Sequence, residues 1–287
     1  MPEPKLKTGT FKALVIDYKE SPEYHALSPR TQKEYDRHIA SILDAWSELK
    51  VSGLKSRHVL QMRDGLKKTP TRANHVIGVL SALIAWGIPR DYAEINPCRD
   101  VPKFKKGEGY APWSWEAIDH FRQNATPEMW HAAALALYTG QRQGDCLEMK
   151  WSDIRDGVIA VTQGKTGKEV WVPLHTDLQK ILDQIERNSI FILTNSKGQP
   201  WKGGFQSSWQ KQLKKPEMKE VKDQALVFHG LRKSAVVFLL EAGYTDAEVS
   251  AITGQTRQMV EHYSKQVNQR RLASEAILKW ERNRNRT

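Results

Sequence analysis

Tyr263, in the stretch MVEHYSK, carries a phenol that can attack an electrophile. With a pKa of about 10, a phenol is mostly protonated at neutral pH. Attack therefore needs a proton acceptor or strong local positive charge, and the chain offers both upstream. His229 and Arg232, in FHGLRKSA, stand three apart and share one helical face. They pair a titratable imidazole with a fixed cation. Arg142 follows a Thr139-Gly140 turn in YTGQRQGDCLEMKW, just ahead of a short helix holding Asp145, and QGKTGKEV sets Lys165 and Lys168 at a hairpin tip. Each residue alone has an ordinary reading. Tyr263 could be aromatic filler beside Met259 and Val260, and His229 a cap or a buried hydrogen-bonder. Arg142 could be an ion-paired surface residue, and the lysines solubilising turn residues. The ordered set Arg, Lys, His-x-x-Arg, Tyr is what calls for elements that bring it together.

Those elements are legible. LSPRTQKEYDRHIASILDAW reads as a helix, with Ser28 as cap, Pro29 in the first turn, and Tyr35, Ile39, Ile42, Leu43 and Trp46 on one face. A second helix is predicted from about Ser56 to Leu66. A third, TRANHVIGVLSALIAWG, carries Val76, Leu80, Leu83 and Ile84 as a stripe and ends at Gly87. NPCRDVPKFKKGEGYAP, from about Asn96 to Pro112, mixes Pro, Gly and Lys without periodicity and reads as a basic linker. Beyond it, helices are predicted near Ser114–Gln123 and Pro127–Tyr138. GVIAVTQGKTGKEVWVPL then reads as two alternating strands around a Gly164/Gly167 turn. Helices follow near Asp177–Arg187, Gly204–Lys214, His229–Ala242, Asp246–Thr253 and Arg257–Tyr263, then a basic helical tail to about Trp280. The predicted class is mostly α with a small antiparallel β-sheet.

Composition bounds the function. A formal charge of +11 points to a polyanionic partner. Residues 1–106 hold 19 Lys and Arg against 12 Asp and Glu, and the remainder 25 against 21, so both parts could meet the same polyanion. Two cysteines, Cys98 and Cys146, make no disulfide framework and sit in no Cys/His metal spacing. No apolar run reaches the ~20 residues of a membrane helix, and MPEPKLKTGT lacks a signal-peptide core. A reducing, cytoplasmic setting without membrane contact is the expectation.

The ordered set, behind that N-terminal helical part, resembles the tyrosine recombinase (phage integrase) family of site-specific DNA recombinases, and the resemblance covers nearly the whole chain. It implies a C-shaped, two-domain clamp. Residues 1–105 would be a helical core-type DNA-binding domain, 106–112 the end of the 96–112 linker segment, and 113–287 a catalytic domain with a C-terminal tail helix. The resemblance assigns Arg142 and Arg232 to the non-bridging oxygens of a phosphodiester, which two guanidiniums can grip and neutralise. His229 becomes a base or phosphate hydrogen-bonder. Lys165, rather than Lys168, becomes the acid that protonates the leaving 5′-oxygen. Asp145 would orient Arg142, and Tyr263 would form a 3′-phosphotyrosyl link, without metal, ATP or other cofactor. One departure stands out. The family usually places Leu-Gly-His ahead of the tyrosine, and ITGQ puts Gln255 there, an amide that can donate a hydrogen bond but carries no charge. His262 lies about 100° round the helix from Tyr263 and reads as incidental.

In the first domain the resemblance lays TPTRANH into DNA, with Arg72 and Asn74 as base or phosphate contacts. Arg30, Lys33, Lys103, Lys105 and Lys106 are expected to clamp the backbone. The expected partners are double-stranded DNA attachment sites, further copies of this chain (a homo-tetramer on two synapsed sites, a monomer when free) and accessory DNA-bending and directionality proteins. The tail, amphipathic through Leu272, Ala276, Ile277 and Trp280, would dock on a neighbouring protomer or on its own domain. Many integrases carry an N-terminal arm-site domain, and LKTGTFKALVIDYKESPEY resembles the segment that follows it, so the chain reads as a natural short form or a fragment. Two rivals share the residues: a type IB-like topoisomerase, and a DNA-binding accessory protein whose catalytic face has decayed.

Overall fold

The computed structural model describes residues 9–105, 107 and 109–284. Its contacts divide the chain into two compact units, Met1–Gly109 and Tyr110–Thr287, each with its own core.

The first unit is helical. α1 (Phe11–Glu20) starts at Thr10, whose hydroxyl accepts from the Ala13 amide, and the short α2 (Pro22–His25) follows. α3 (Pro29–Trp46) begins where its start signals predict: Ser28 Oγ accepts from the Thr31 amide at 3.3 Å, with Pro29 in the first turn. Of its predicted stripe, Ile39 and Ile42 are buried, while Tyr35, Leu43 and Trp46 pack at the core's edge. α4 (Ser56–Gly65) and α5 (Pro70–Gly87) complete the unit. α5 lies centrally, packed on α1, α3 and α4, with Val76, Leu80, Leu83 and Ile84 buried against Phe11 and Leu14.

The segment read as a linker from Asn96 is packed over its first part. Asn96, Cys98 and Val101 are buried in the first unit. The Asn74 side chain donates to the Phe104 carbonyl and accepts from the Phe104 amide, both at 2.9 Å. Periodicity missed this because the segment is held residue by residue, without a helical or strand face. The same bonds correct the expectation for Asn74. Its amide is buried and engaged on both sides, so it anchors Phe104 and is not presented to DNA.

The second unit opens with α6 (Trp115–Asn124), capped by Ser114, then α7 (Pro127–Thr139) and the short α8 (Gln143–Glu148). Three strands follow: β1 (Ile154–Arg155), β2 (Val158–Thr162) and β3 (Glu169–Pro173), antiparallel in that order. In the register Ile159↔Val172 and Val161↔Val170, these four side chains are buried. The expected hairpin is thus β2–β3, and β1 is too short to show alternation. Next come α9 (Thr176–Leu182), α10 (Phe205–Leu213), α11 (Lys219–Asp223), α12 (Phe228–Glu241), α13 (Asp246–Thr253) and α14 (Arg257–Arg284). α9 stops short of the predicted Arg187 because the Gln184 and Ile185 amides reach back only three residues, tightening the chain into a turn. α14 is one helix where a helix and a separate tail were expected, since no Gly or Pro interrupts it. The mostly helical class with a small antiparallel sheet is borne out. Among the described residues no helix is long and apolar enough to cross a membrane.

The larger core gathers Trp113, Phe121, Leu135, Trp209, Phe228 and Leu231; a smaller one holds Val236, Leu240, Val249 and Val260. The first two turns of α12 are strapped by residues 111–113. Ser234 Oγ accepts from the Trp113 amide at 2.6 Å, and the Trp113 indole donates to the Val227 carbonyl at 2.9 Å. A Cβ at Gly230 would lie 2.5 Å from the Ala111 carbonyl oxygen and 2.8 Å from the Trp113 ring. Gly230→Ala is therefore expected to cost about 1–3 kcal/mol, read as a lower urea midpoint. An unchanged midpoint would show that the strap is not closely packed on α12.

Candidate active site

α7 and α13 end at glycines in the left-handed conformation, Gly140 (φ +64°) and Gly254 (φ +67°), and the two ends face each other. A Cβ on Gly140 would lie 2.7 Å from Thr253 Cγ2. One on Gly254 would lie 2.4 Å from Gln163 Nε2. Helix C-termini leave carbonyls without partners, and here side chains supply them. The Gln141 amide donates to the Thr139 carbonyl at 2.9 Å and the Ile252 carbonyl at 3.3 Å. Arg232 Nη1 donates to the Gly140 carbonyl at 2.6 Å, and Gln163 Nε2 donates to the Thr253 carbonyl at 3.1 Å.

Gln163 is the residue that sequence reasoning missed. It sits fully buried, just beyond β2. Its Nε2 also donates to Gln141 Oε1 at 2.7 Å, and its Oε1 accepts from Arg142 Nη1 at 3.1 Å and Thr166 Oγ1 at 3.0 Å. The signal was available. Ile159 and Val161 face the core, so alternation points position 163 inward, where an amide must find partners.

Arg142 thus projects from the start of α8, held by Gln163 and lying 3.6 Å from Asp145 Oδ2. Asp145 is buried, and its Oδ1 accepts from the Gly164 amide at 2.9 Å, tying the hairpin tip to α8. Arg232 is 4% exposed, and its Nη2 has no hydrogen-bond partner among the described residues. Burial first, then the neighbouring Arg142 charge, pushes its guanidinium down to about 10, so it remains charged at neutral pH.

His229 lies on the rim with its ring edge-on to Tyr110 at 5.9 Å. Partial burial of the ring holds it below the ordinary histidine range, and the charges of Arg232, Lys233, Arg142 and Lys165 push the same way. These four cations therefore share one field with the imidazole. Lys165 is exposed on the hairpin tip, and the Lys168 carbonyl accepts from the Gln163 amide. Both cysteines are buried, which pushes their thiols up to about 12 and leaves neither suited to nucleophilic attack.

Gln255 follows Gly254 and is 7% exposed. Its backbone amide donates to Thr253 Oγ1 at 3.4 Å, and its side-chain amide makes no hydrogen bond among the described residues. Tyr263 stands on α14, half-buried on the smaller core. Lys233 Nζ lies 5.5 Å from its ring centroid, and the His262 ring meets it edge-on at 5.4 Å. Its hydroxyl makes no hydrogen bond among the described residues. The structure therefore gathers Arg142, Lys165, His229, Arg232 and Asp145 directly, and reaches Tyr263 through Lys233, the neighbour of Arg232.

In the first unit Arg30, Lys33, Arg72, Lys103 and Lys105 are exposed, and Arg72 donates to Ser41 Oγ at 3.0 Å. Lys106 lies outside the described residues.

The mostly helical fold agrees with comparison to known proteins. The chain belongs to the phage integrase family, whose model matches residues 115–270. The integrase of Escherichia phage lambda is 34% identical over 110 residues, 35% of this chain and 31% of that protein. A shufflon-specific DNA recombinase of Escherichia coli is 27% identical over 194 residues, 64% of this chain and 46% of that protein. The chain thus matches less than half the length of either relative. In fold it is similar to a lambda integrase(75-356) dimer bound to a COC′ core site, with a TM-score of 0.76 at 21% identity, covering 89% of this chain and 95% of that one. It is also similar to a Tn1549 transposon integrase in complex with a circular intermediate DNA, with a TM-score of 0.76 at 15% identity, covering 92% and 100%.

Gln163→Leu leaves the Arg142 bond, the Gln141 carbonyl oxygen and the Thr253 carbonyl unmet. It is expected to destabilise the chain by about 1–3 kcal/mol, against less than about 0.5 kcal/mol for Lys165→Gln on the exposed tip. Equal denaturant midpoints for the two variants would show that the Gln163 amide holds nothing together.

Proposed function

We propose that this chain is a site-specific DNA recombinase that cleaves and rejoins duplex DNA through a 3′-phosphotyrosyl intermediate, without metal or ATP. The observation that carries the reading is the buried, partly unpartnered guanidinium of Arg232 within the field shared by Arg142, Lys165, Lys233 and His229. Such a site is short of one anion, and a phosphodiester supplies it. Arg142 and Arg232 take its non-bridging oxygens, and the free side-chain amide of Gln255 can donate to it as well.

The Tyr263 oxygen attacks phosphorus, forming the phenolic O–P bond as the P–O5′ bond breaks. The phenolic proton passes to His229, which burial and its cationic neighbours keep neutral and able to accept. Lys165 gives a proton to the departing 5′-oxygen. Its charge acts on His229, which supports placing it beside the same phosphate. Attack by a free 5′-hydroxyl on the phosphotyrosyl link reverses the steps and joins a new strand. Asp145 orients Arg142 and the hairpin together.

Recombination between two attachment sites calls for several copies of the chain on DNA, a tetramer at synapsis. Ile277, Leu278 and Trp280 on α14 are exposed and offer an apolar face for a neighbour; the side chains of Leu272 and Ala276 lie outside the described ones. In the first unit, Arg30, Lys33, Arg72, Lys103, Lys105 and Lys106 serve as backbone contacts. Accessory DNA-bending and directionality proteins complete the proposed partners.

Tyr263→Phe is expected to bind DNA nearly as the parent does and to form no covalent adduct on a nicked suicide substrate. A detergent-stable adduct from the Phe variant sinks the assignment. Relaxation of supercoils without a second site would favour a topoisomerase instead.

Lys165→Ala is expected to lose cleavage of ordinary DNA, because the 5′-oxygen would leave as an alkoxide. It should recover much of its activity on a substrate with sulfur at that bridging position, which leaves as a thiolate. Arg142→Ala and Arg232→Ala should show no such recovery. If sulfur rescues Lys168→Ala and not Lys165→Ala, the acid is the other hairpin lysine.

A further inference from the structure

Lys233 follows Arg232 on α12 and stands four residues after His229, so the two share one helical face. Its side chain is half-buried, and its ammonium has no ion pair or hydrogen bond among the described residues. The contact it does make is with Tyr263 on α14, whose ring centroid lies 5.5 Å from Nζ. That is within reach of a cation–π attraction. Its charge also acts on the His229 imidazole. One ammonium thus bears on both the phenol and the imidazole, although they stand on different helices.

The surroundings leave this ammonium to the two rings. α14 packs on α12 and α13. On α13, Asp246 Oδ2 accepts from Ser264 Oγ at 3.3 Å, and Glu248 accepts from the amide and hydroxyl of Thr245. On α14, Glu261 pairs with Lys265 at 3.1 Å, and His262 meets the Tyr263 ring edge-on. Each of these carboxylates has its own partner. The charges acting on His229 are those of Arg232 and Lys233 on α12, Arg142 at the start of α8 and Lys165 on the hairpin, and the Tyr110 ring stands at its edge. On the proposed function Arg142 and Arg232 take the phosphate and Lys165 serves the leaving oxygen. Lys233 is the cation of this set without a task.

We propose that Lys233 is a positioning residue of the cleavage step, holding the Tyr263 ring beside α12 and biasing the phenol and His229 together. The proposal rests on the reading that Tyr263 attacks phosphorus and His229 takes its proton, and it names the residue that couples them. A nearby positive charge favours the deprotonated form of a phenol and disfavours the protonated form of an imidazole. Both effects favour one state, a phenol ready to lose its proton beside an imidazole free to take it. As that proton leaves, the ring becomes more electron-rich and the ammonium attracts it more strongly than before. Partial burial first, then Arg232, and Lys233 after it hold His229 below the ordinary histidine range. Without Lys233 the imidazole charges at higher pH, so neutral His229 is lost earlier as pH falls.

The test follows covalent adduct formation by the full chain on a nicked suicide substrate, in single turnovers from about pH 5.5 to about pH 9, a range that spans histidine titration. Lys233→Met keeps the length of the side chain and loses its charge. It is expected to move the acid limb of the rate profile up by as much as about one pH unit, the ordinary spread of histidine values in folded proteins. The plateau rate should fall about two- to five-fold, the size of an exposed cation–π contact. Lys233→Arg, whose guanidinium also stacks on aromatic rings, should restore both. Ser264→Ala loosens α14 without changing charge and should lower the rate without moving the limb. In the free chain, the His229 ring should titrate at higher pH by NMR in Lys233→Met than in the parent.

A limb or a His229 titration that stays at the parental pH in Lys233→Met overturns the proposal. So does an equal displacement of the limb in Ser264→Ala. A faster plateau in Lys233→Met would make the lysine a restraint that parks Tyr263 away from its target, and overturns it too. If Lys233→Met lowers the slope of log K against log salt for duplex by about 0.9, the ammonium meets a DNA phosphate and its task is contact, not positioning. A parent chain that forms no adduct at any pH would instead remove the underlying reading, a failure distinct from these because no Lys233 variant is involved.

Discussion

The buried side chain of Gln163 is the constraint on which the second unit's site depends. One amide reaches four groups: the Arg142 guanidinium, the Thr166 hydroxyl, the Gln141 amide and the Thr253 carbonyl. These belong to the start of α8, the hairpin tip, the end of α7 and the end of α13. A carboxylate in its place would lack the two donors, and an apolar side chain would lack all four bonds, so the position is specified more tightly than its exposed neighbours. The glycines follow from it. Gly254 has no room for a Cβ because Gln163 Nε2 fills that space, and its left-handed conformation lets α13 end with the Thr253 carbonyl toward the amide.

The two arginines illustrate how like charges can be held close. Arg232 lowers the stability of its own charge by approaching Arg142, and burial adds to that cost. Two sources of negative potential compensate. Asp145 lies beside Arg142 as a buried carboxylate, and the C-terminal ends of α7 and α13 point carbonyls into the same region. The compensation is partial, because Arg232 Nη2 and Asp145 Oδ2 both lack hydrogen-bond partners among the described residues.

Much of this was legible in the sequence where one residue type does one job. Ser28 and Pro29 announce α3, the alternation of Ile159, Val161, Val170 and Val172 announces β2 and β3, and the His-x-x-Arg spacing places both side chains on α12. What the sequence hid are contacts between residues distant in the chain. Asn74 sits among exposed polar residues in TPTRANH, yet it faces inward to bond Phe104, thirty positions away. Gln163 bonds Gln141 and Thr253, twenty-two and ninety positions away. The continuity of α14 is signalled only by an absence: both the helix from Arg257 and its helical tail were legible, and nothing between them breaks a helix, so they run on as one.

Stability alone would not retain such a site. A buried guanidinium nitrogen without a partner costs about 1–3 kcal/mol relative to a satisfied one. The surrounding structure could relieve that with one more carboxylate near Arg232. Instead, Arg232 Nη1 takes the Gly140 carbonyl, Asp145 lies beside Arg142, and Nη2 is left without a hydrogen-bond partner among the described residues, close to a second guanidinium. Local rules broken without internal compensation mark places where a ligand completes the structure. In the first unit the His38 imidazole is likewise buried, and its ring nitrogens have no hydrogen-bond partner among the described residues. On the proposed reading the group that completes the site around Arg232 is a phosphodiester, whose oxygens would meet a guanidinium nitrogen that has no hydrogen-bond partner among the described residues.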